Sequence, residues 1–262
     1  MKKTLSRIYT TLIFLFLYAP IAVLIVFSFN KSRTRAKWGG FTLEWYVKLF
    51  DNGPIMQALS NTLLIALVSA LIATVIGTAV CVAMSGMNKG LRTLFTGVAN
   101  IPMVNADIVT GISLMLLFLT FRLRFGFFTI LLSHITFNIP YVILSVLPRM
   151  KTLNPHTYEA ALDLGASPAY SFFKVVFPDL LPGILTGFLM SFTMSVDDFI
   201  ITHFTKGAGV DTLSTKIYSE IRKGIKPEIY ALSTMIFFLV VFLLLLVQYR
   251  SRMAEEKLKS EK

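Results

Sequence analysis

Residues 158–183 read YEAALDLGASPAYSFFKVVFPDLLPG and lie between two long apolar runs. Just upstream, Asn154-Pro155 is a helix-start signal, with Asn as the N-cap and Pro in the first helical position. That helix is expected to run to Leu164, where Gly165 takes the left-handed position that closes a helix. Ser167-Pro168 repeats the start signal, and a second short helix is expected to end near Phe177, before Pro178. The sequence therefore predicts two short capped helices meeting at a nearly right-angled break set by Gly165. Glu159 and Asp163 are four residues apart and share a face, a like-charge spacing that weakens an isolated helix and that a basic partner surface would relieve. Tyr158, Ala161 and Leu162 form the apolar side, and the small Ala160 and Ala161 permit close approach. An ordinary amphipathic connector resting on a membrane would show the same alternation, so its surroundings have to be read with it.

Those surroundings are strongly apolar. The 262 residues are 55% hydrophobic, with 23 Phe and a mean hydropathy of +0.71, against about 45–50% apolar in soluble domains. Six runs have the ~20-residue length needed to cross a hydrocarbon core: 9–29, 62–84, 97–120, 127–147, 180–203 and 230–249. They are continuously apolar rather than alternating, which makes them helices and not barrel strands. The first run follows Lys2, Lys3 and Arg7, as in a signal peptide, but it is too long and lacks a small-x-small site, so it reads as a retained span. The single cysteine, Cys81, falls inside the second run and suggests neither an intrachain disulfide nor a metal cluster.

The expected fold class is all-α: a polytopic membrane protein of six transmembrane helices, one transmembrane domain over 1–262, surrounded by membrane lipid. The net charge of +11 is spread over every loop and both tails, as lipid headgroups favour, and nucleic acid is not expected as a partner. The positive-inside rule does not orient the chain, because 13 Lys/Arg fall on the side of the two tails and 12 on the other. The N-terminal cluster favours cytoplasmic tails.

Glu159-Ala160-Ala161, three residues, Gly165, nine residues, Val175, one residue and Phe177-Pro178 resemble the EAA loop of ABC-importer permeases, with Phe177 where Leu is usual. The likeness extends over nearly the whole chain. FSFNKSRTRAKWGGFTLEWY (27–46), ADIVTGISLMLLF (106–118), LSHITFNIPYV (132–142), MSFTMSVDDF (190–199) and KIYSEIRKGIKPEIYALST (216–234) resemble the permease subunits of spermidine/putrescine importers. The resemblance implies a MetI-like permease bundle that pairs with a second, homologous permease around a central path. It implies that residues 150–178 are a cytoplasmic coupling loop docking on a separate ABC ATPase subunit, a dimer in the assembly, through Glu159, Ala160, Ala161, Asp163, Gly165 and Pro178. It also implies an extracytoplasmic solute-binding protein, a polyamine substrate, a bacterial cytoplasmic membrane and both termini inside. No phosphate-cradling Gly-x-x-x-x-Gly-Lys-Ser/Thr loop occurs. No cofactor is therefore expected on this chain, ATP and Mg²⁺ belonging to the partner ATPase, and no enzymatic activity of its own.

Three acids fall inside apolar runs: Asp107, Asp197 and Asp198. A carboxylate at membrane depth is costly and normally faces a bundle interior or a wet cavity. Asp107 is expected near mid-membrane within a continuous third span, and Asp197 and Asp198 late in the fifth. Carboxylates attract ammonium groups, and the aromatic residues Trp38, Trp45 and Tyr46 could add cation–π attraction. The resemblance assigns Trp45, Asp107, Ser195, Asp197 and Asp198 to the substrate path. Structural roles compete: an Asp near a span end can cap a helix, and a Trp can anchor an interface. Basic Lys31, Arg33, Arg35 and Lys37 would repel a polycation, and are expected to face acids on the solute-binding protein instead. His134 and His203 lack a second ligand at metal spacing, and His134 has no nucleophile elbow beside it. The alternatives are the same permease class importing a different small solute, a stand-alone secondary transporter, which would need coupling acids but no docking helix, and a membrane enzyme, for which the catalytic set is missing.

Overall fold

The computed structural model describes residues 2–32, 37–153, 155–224, 226–238 and 241–242. Helices account for nearly all of them: α1 (Lys2–Ser28), α2 (Glu44–Asp51), α3 (Gly53–Ser85), α4 (Lys89–Val104), α5 (Asp107–Thr120), α6 (Phe127–Thr152), α7 (Pro155–Asp163), α8 (Pro168–Ser171), a π-helical turn (Phe172–Val176), α9 (Phe177–Asp197), α10 (Ile200–Thr205) and α11 (Leu213–Lys223). Residues 227–238 are helical as well. Among the described residues, β pairing is limited to the isolated bridge between Asn30 and Phe41. Two compact units result, one of Met1–Met56 with Ile217–Lys262 and one of Gln57–Lys216.

Ser6–Ser28, Gly53–Ser85, Phe127–Thr152 and Pro168–Asp197 are long and apolar enough to cross a membrane, and the pair Lys89–Val104 and Asp107–Thr120 makes a fifth candidate bent by 104°. Of the expected sixth span, 230–249, residues 239–240 and 243–249 lie outside the described residues, as do Arg33, Arg35 and Asn154. Three expectations are corrected. The third span is not one straight helix: α4 carries Pro102, ends at Val104, and the extended Asn105-Ala106 turns the chain before Asp107 opens α5. Asp107 therefore sits in the first turn of a new helix, where its charge favours the positive end of the dipole, and not in mid-helix. The fifth span likewise stops at Asp197 instead of running to 203, with extended backbone at Asp198. The second helix of the loop does not end before Pro178. Pro178 has no N–H to return to the preceding turn, and the chain absorbs this as a π-helical turn in which the Phe177 N–H bonds to the Phe172 carbonyl. The helix then continues into α9.

The core of the Gln57–Lys216 unit is α6, gripped by α3 and α9. Both of those helices present small residues at every fourth position. On α3 these are Ser69, Ala73, Gly77 and Cys81; on α9 they are Gly183, Gly187, Ser191 and Ser195. In an apolar solvent small residues drive helix pairing by letting backbones approach. Here the approach leaves no room for side chains: a Cβ at Gly77 would stand 2.7 Å from the Val142 Cβ, and one at Gly187 would stand 3.1 Å from the Val142 Cα. Val142 is fully buried between them, with Met84, Val146 and Leu180 completing the cluster.

Gly77→Val is predicted to destabilise the protein by about 1–3 kcal/mol, the usual cost of overpacking, because Val recovers little helix propensity and its branches meet a stiff Val142. A thermal melt in detergent checks this. Adding Val142→Ala should recover part of the loss, which a general defect in α3 would not allow.

Candidate substrate path and coupling loop

One end of the α3–α6–α9 contact is polar and buried. His134 on α6 is fully buried. Its Nδ1 lies 2.5 Å from the Ser195 Oγ and its Nε2 lies 2.9 Å from the Thr202 Oγ1. The Thr202 hydroxyl donates to the Asp198 Oδ2 at 2.7 Å. A hydroxyl has one proton. Thr202 spends it on the carboxylate, so His134 Nε2–H must be the donor to Thr202. In the neutral ring, Nδ1 then accepts from Ser195. Ser195 Oγ also lies 3.3 Å from the Ser69 Oγ, which accepts from the Asn138 amide at 3.3 Å. Ser191 donates to the Asn138 backbone carbonyl. One chain of hydrogen bonds thus joins α3, α6, α9 and α10.

Four of the five residues assigned to the substrate path fall in the Gln57–Lys216 unit. Ser195, 3% exposed, is inside the relay. Asp198 receives the Ile201 and Thr202 N–H groups at 3.2 and 2.8 Å and so caps α10. Asp197 and Asp107 are exposed, Asp107 at the 104° break. Trp45 lies in the other unit. It is 4% exposed, its indole Nε1–H donates to the Asn30 carbonyl at 2.8 Å, and Lys48 Nζ stands 5.1 Å from its ring centre. The Asn30 side chain accepts the Ser32 and Gly39 N–H groups and donates to the Lys37 carbonyl, holding the loop beside Trp45. A lone histidine has no ligand spacing, so the sequence by itself does not single out His134. The signal that could have found it is the four-residue spacing of Ser191 and Ser195, which extends the Gly183–Gly187 stripe as polar groups needing buried partners.

At the other end of α9 lie the residues expected to form a coupling loop. Tyr158, Ala161 and Leu162 are half-buried, while Glu159, Ala160 and Asp163 are exposed. Gly165 has φ +86°, and the Ala166 N–H reaches back to the Ala161 carbonyl, which closes α7 in the left-handed way that glycine favours. Ser167 caps α8 through the Tyr170 N–H. Pro178 sits exposed beyond the π-helical turn. Leu164 at the tip is 89% exposed. A cavity of ≈ 610 Å³ behind the loop is lined by Arg92, Met150, Tyr158, Glu159, Phe172 and Asp179, among others. Three lysines are paired within the chain: Lys48 with Glu44, Lys206 with Asp211 and Lys226 with Glu220.

The family of binding-protein-dependent transport system inner membrane components matches residues 1–255. The chain belongs to this family. It is 37% identical over 251 residues to the spermidine/putrescine transport system permease protein PotC of Escherichia coli K12, covering 96% of this chain and 94% of that one. It is 36% identical over 231 residues to the putrescine transport system permease protein PotI of the same organism, covering 85% and 82%. A solved bacterial ABC transporter involved in the import of the acidic polysaccharide alginate has the same fold, with TM-score 0.71, 19% identity and coverage of 95% and 94%. Another, an amino acid ABC transporter, gives TM-score 0.57 at 16% identity, covering 81% and 100%. As in the rest of the family, this is a multi-pass protein of the bacterial inner membrane.

Trp45→Phe keeps the ring but leaves the Asn30 carbonyl without its donor. It is predicted to cost about 1–3 kcal/mol, the penalty of an unsatisfied buried acceptor, read as a lower melting temperature of the purified protein.

Proposed function

We propose that the chain is a permease subunit of an ATP-driven importer for polyamines such as spermidine and putrescine, working with a second homologous permease, an ABC ATPase dimer and an extracytoplasmic solute-binding protein. The relatives supply the substrate class. The observation that carries the mechanism is the unbroken helix from Pro168 to Asp197. Its first turns belong to the coupling loop and its last residue is one of the acids. Thirty residues at ~1.5 Å each make a rod of roughly 45 Å, so a tilt imposed at the loop is delivered at the acids. In this reading both termini and the 150–178 loop are cytoplasmic. ATP and Mg²⁺ reside on the ATPase, which grips exposed Glu159, Asp163 and Leu164 while Gly165 keeps α7 rigid against α8. ATP binding tilts the loop and opens the path outward; the substrate leaves its binding protein and passes Asp107 and the Asp197–Asp198 pair; hydrolysis resets the path inward. The ion pairs of Lys48, Lys206 and Lys226 reduce the repulsion a polycation would meet on the outer side.

The reading is tested with the assembled complex in liposomes. Spermidine or putrescine, presented on the binding protein, should stimulate ATP hydrolysis, and an uncharged solute of similar size should not. Stimulation that ignores polyamines in an intact complex would keep the permease and discard this substrate. Glu159→Lys should reduce stimulated hydrolysis by about ten-fold or more, the ~1.4 kcal/mol of one lost charge-assisted contact, while the exposed position leaves the melting temperature of the chain unchanged.

A further inference from the structure

Adjacent Asp197 and Asp198 have different surroundings. Asp198 leaves α9 in extended backbone, φ −62° and ψ 128°, and folds its carboxylate onto α10. Its Oδ1 accepts the Ile201 N–H at 3.2 Å, and its Oδ2 accepts the Thr202 N–H at 2.8 Å and the Thr202 hydroxyl at 2.7 Å. His134 Nε2 stands 3.4 Å from the same Oδ2, and the Asp198 side chain is 9% exposed. Asp197 is exposed and has no hydrogen-bond or ion-pair partner among the described residues. Asp197 is the last residue of α9 and Asp198 the first beyond it, so one carboxylate stays exposed while the other is carried onto α10.

We propose that Asp197 is the carboxylate that meets the cationic substrate, and that His134, Thr202 and Asp198 form a positioning unit that fixes the α9–α10 break on which Asp197 is presented. The proposal rests on the polyamine reading above. An ammonium group that took Asp198 would compete with two N–H donors and a hydroxyl already on that carboxylate, would find only one lone-pair site of Oδ1 open, and would have to reach a side chain that is 9% exposed. Asp197 gives up nothing of that kind when it binds. The relay also explains why the break holds one shape. The end of α9 is tied through Ser195 to His134, the start of α10 is tied through Thr202 to the other nitrogen of the same ring, and Ser69 anchors the arrangement to α3. His134 is therefore a bridge between the two helices and reaches the substrate only through the residue it positions.

The test uses the complete complex in liposomes, with Cys81→Ala to remove the one native thiol. Asp197→Cys and Asp198→Cys are treated with a membrane-impermeant methanethiosulfonate. Position 197 should react about ten-fold faster or more, and spermidine should slow that reaction and not the one at 198. Adding Thr202→Val should abolish spermidine protection at 197, and Thr202→Ser, which keeps the hydroxyl, should restore it. Asp197→Asn should reduce uptake about ten-fold or more in a complex that assembles and melts normally. Equal labelling at the two positions overturns the proposal, as does protection at 198 alone, or normal uptake by Asp197→Asn. If polyamines neither stimulate the wild-type complex nor protect either thiol, the substrate reading falls. The ratio of labelling rates then still judges the buried state of Asp198, and a ratio near one overturns it.

Discussion

Val142 sits where two backbones come closer to a third than any side chain would allow. Gly77 of α3 lies over its side chain and Gly187 of α9 lies over its Cα. In lipid this closeness cannot come from expelling water, because the hydrocarbon is as apolar as the side chains. It comes from dispersion between surfaces with no gaps and from polar groups that find one another. The stripes of small residues supply the first; their continuation as Ser69, Ser191 and Ser195 supplies the second. The same four-residue spacing that lets the helices touch around Val142 therefore brings hydroxyls against Asn138 and His134 further along α6. Packing and polar network are one arrangement read at two heights.

That arrangement decides where the chain can break. A transmembrane helix that stops inside lipid exposes N–H and carbonyl groups with no partners, at a cost of several kcal/mol each. Both interruptions carry their own remedy. At the α4–α5 turn, Asn105 returns its N–H to the Ile101 carbonyl and Asp107 sits in the first turn of α5. At the α9–α10 turn, Asp198 accepts two N–H groups and Thr202 connects it to His134. The acids that looked anomalous in apolar runs are thus found at helix breaks. An acid at a break serves the backbone first, and is free for a ligand only where its carboxylate is not already used.

Much of this was legible in the sequence. The long, continuously apolar runs point to the helical membrane class, and the Gly165 and Ser167-Pro168 signals to the local shape of the loop, since caps and left-handed residues are decided by neighbours along the chain. What was not legible depended on contacts far apart in sequence. Nothing near His134 announces Thr202, 68 residues away. Hydropathy sees the third run as continuous because Asn105 and Asp107 are two residues in an apolar window. Pro178 looked like a stop because a proline usually ends a helix; here a π-helical turn takes up the missing N–H and the rod goes on.

That last difference changes what the loop can do. Had the helix ended before Pro178, the loop would have been joined to the fifth span through a hinge, and a force applied to α7 would have bent the hinge before moving the span. With the helix continuous, the weak point moves away from the loop to the far end, between Asp197 and Ile200. There the helix stops, and the hydrogen bonds of Asp198, Thr202, His134 and Ser195 brace its junction with α10. In the proposed mechanism, a continuous helix with a defined joint at its end converts a tilt at one side into a small reorientation at the other, which would turn a carboxylate toward or away from a cation. The joint must then be firm enough to transmit the motion and polar enough to survive in lipid. A buried histidine with both ring nitrogens engaged by hydroxyls on the two sides of the break meets both requirements, where an apolar side chain of the same volume would pack but would remove the bridge between Ser195 and Thr202.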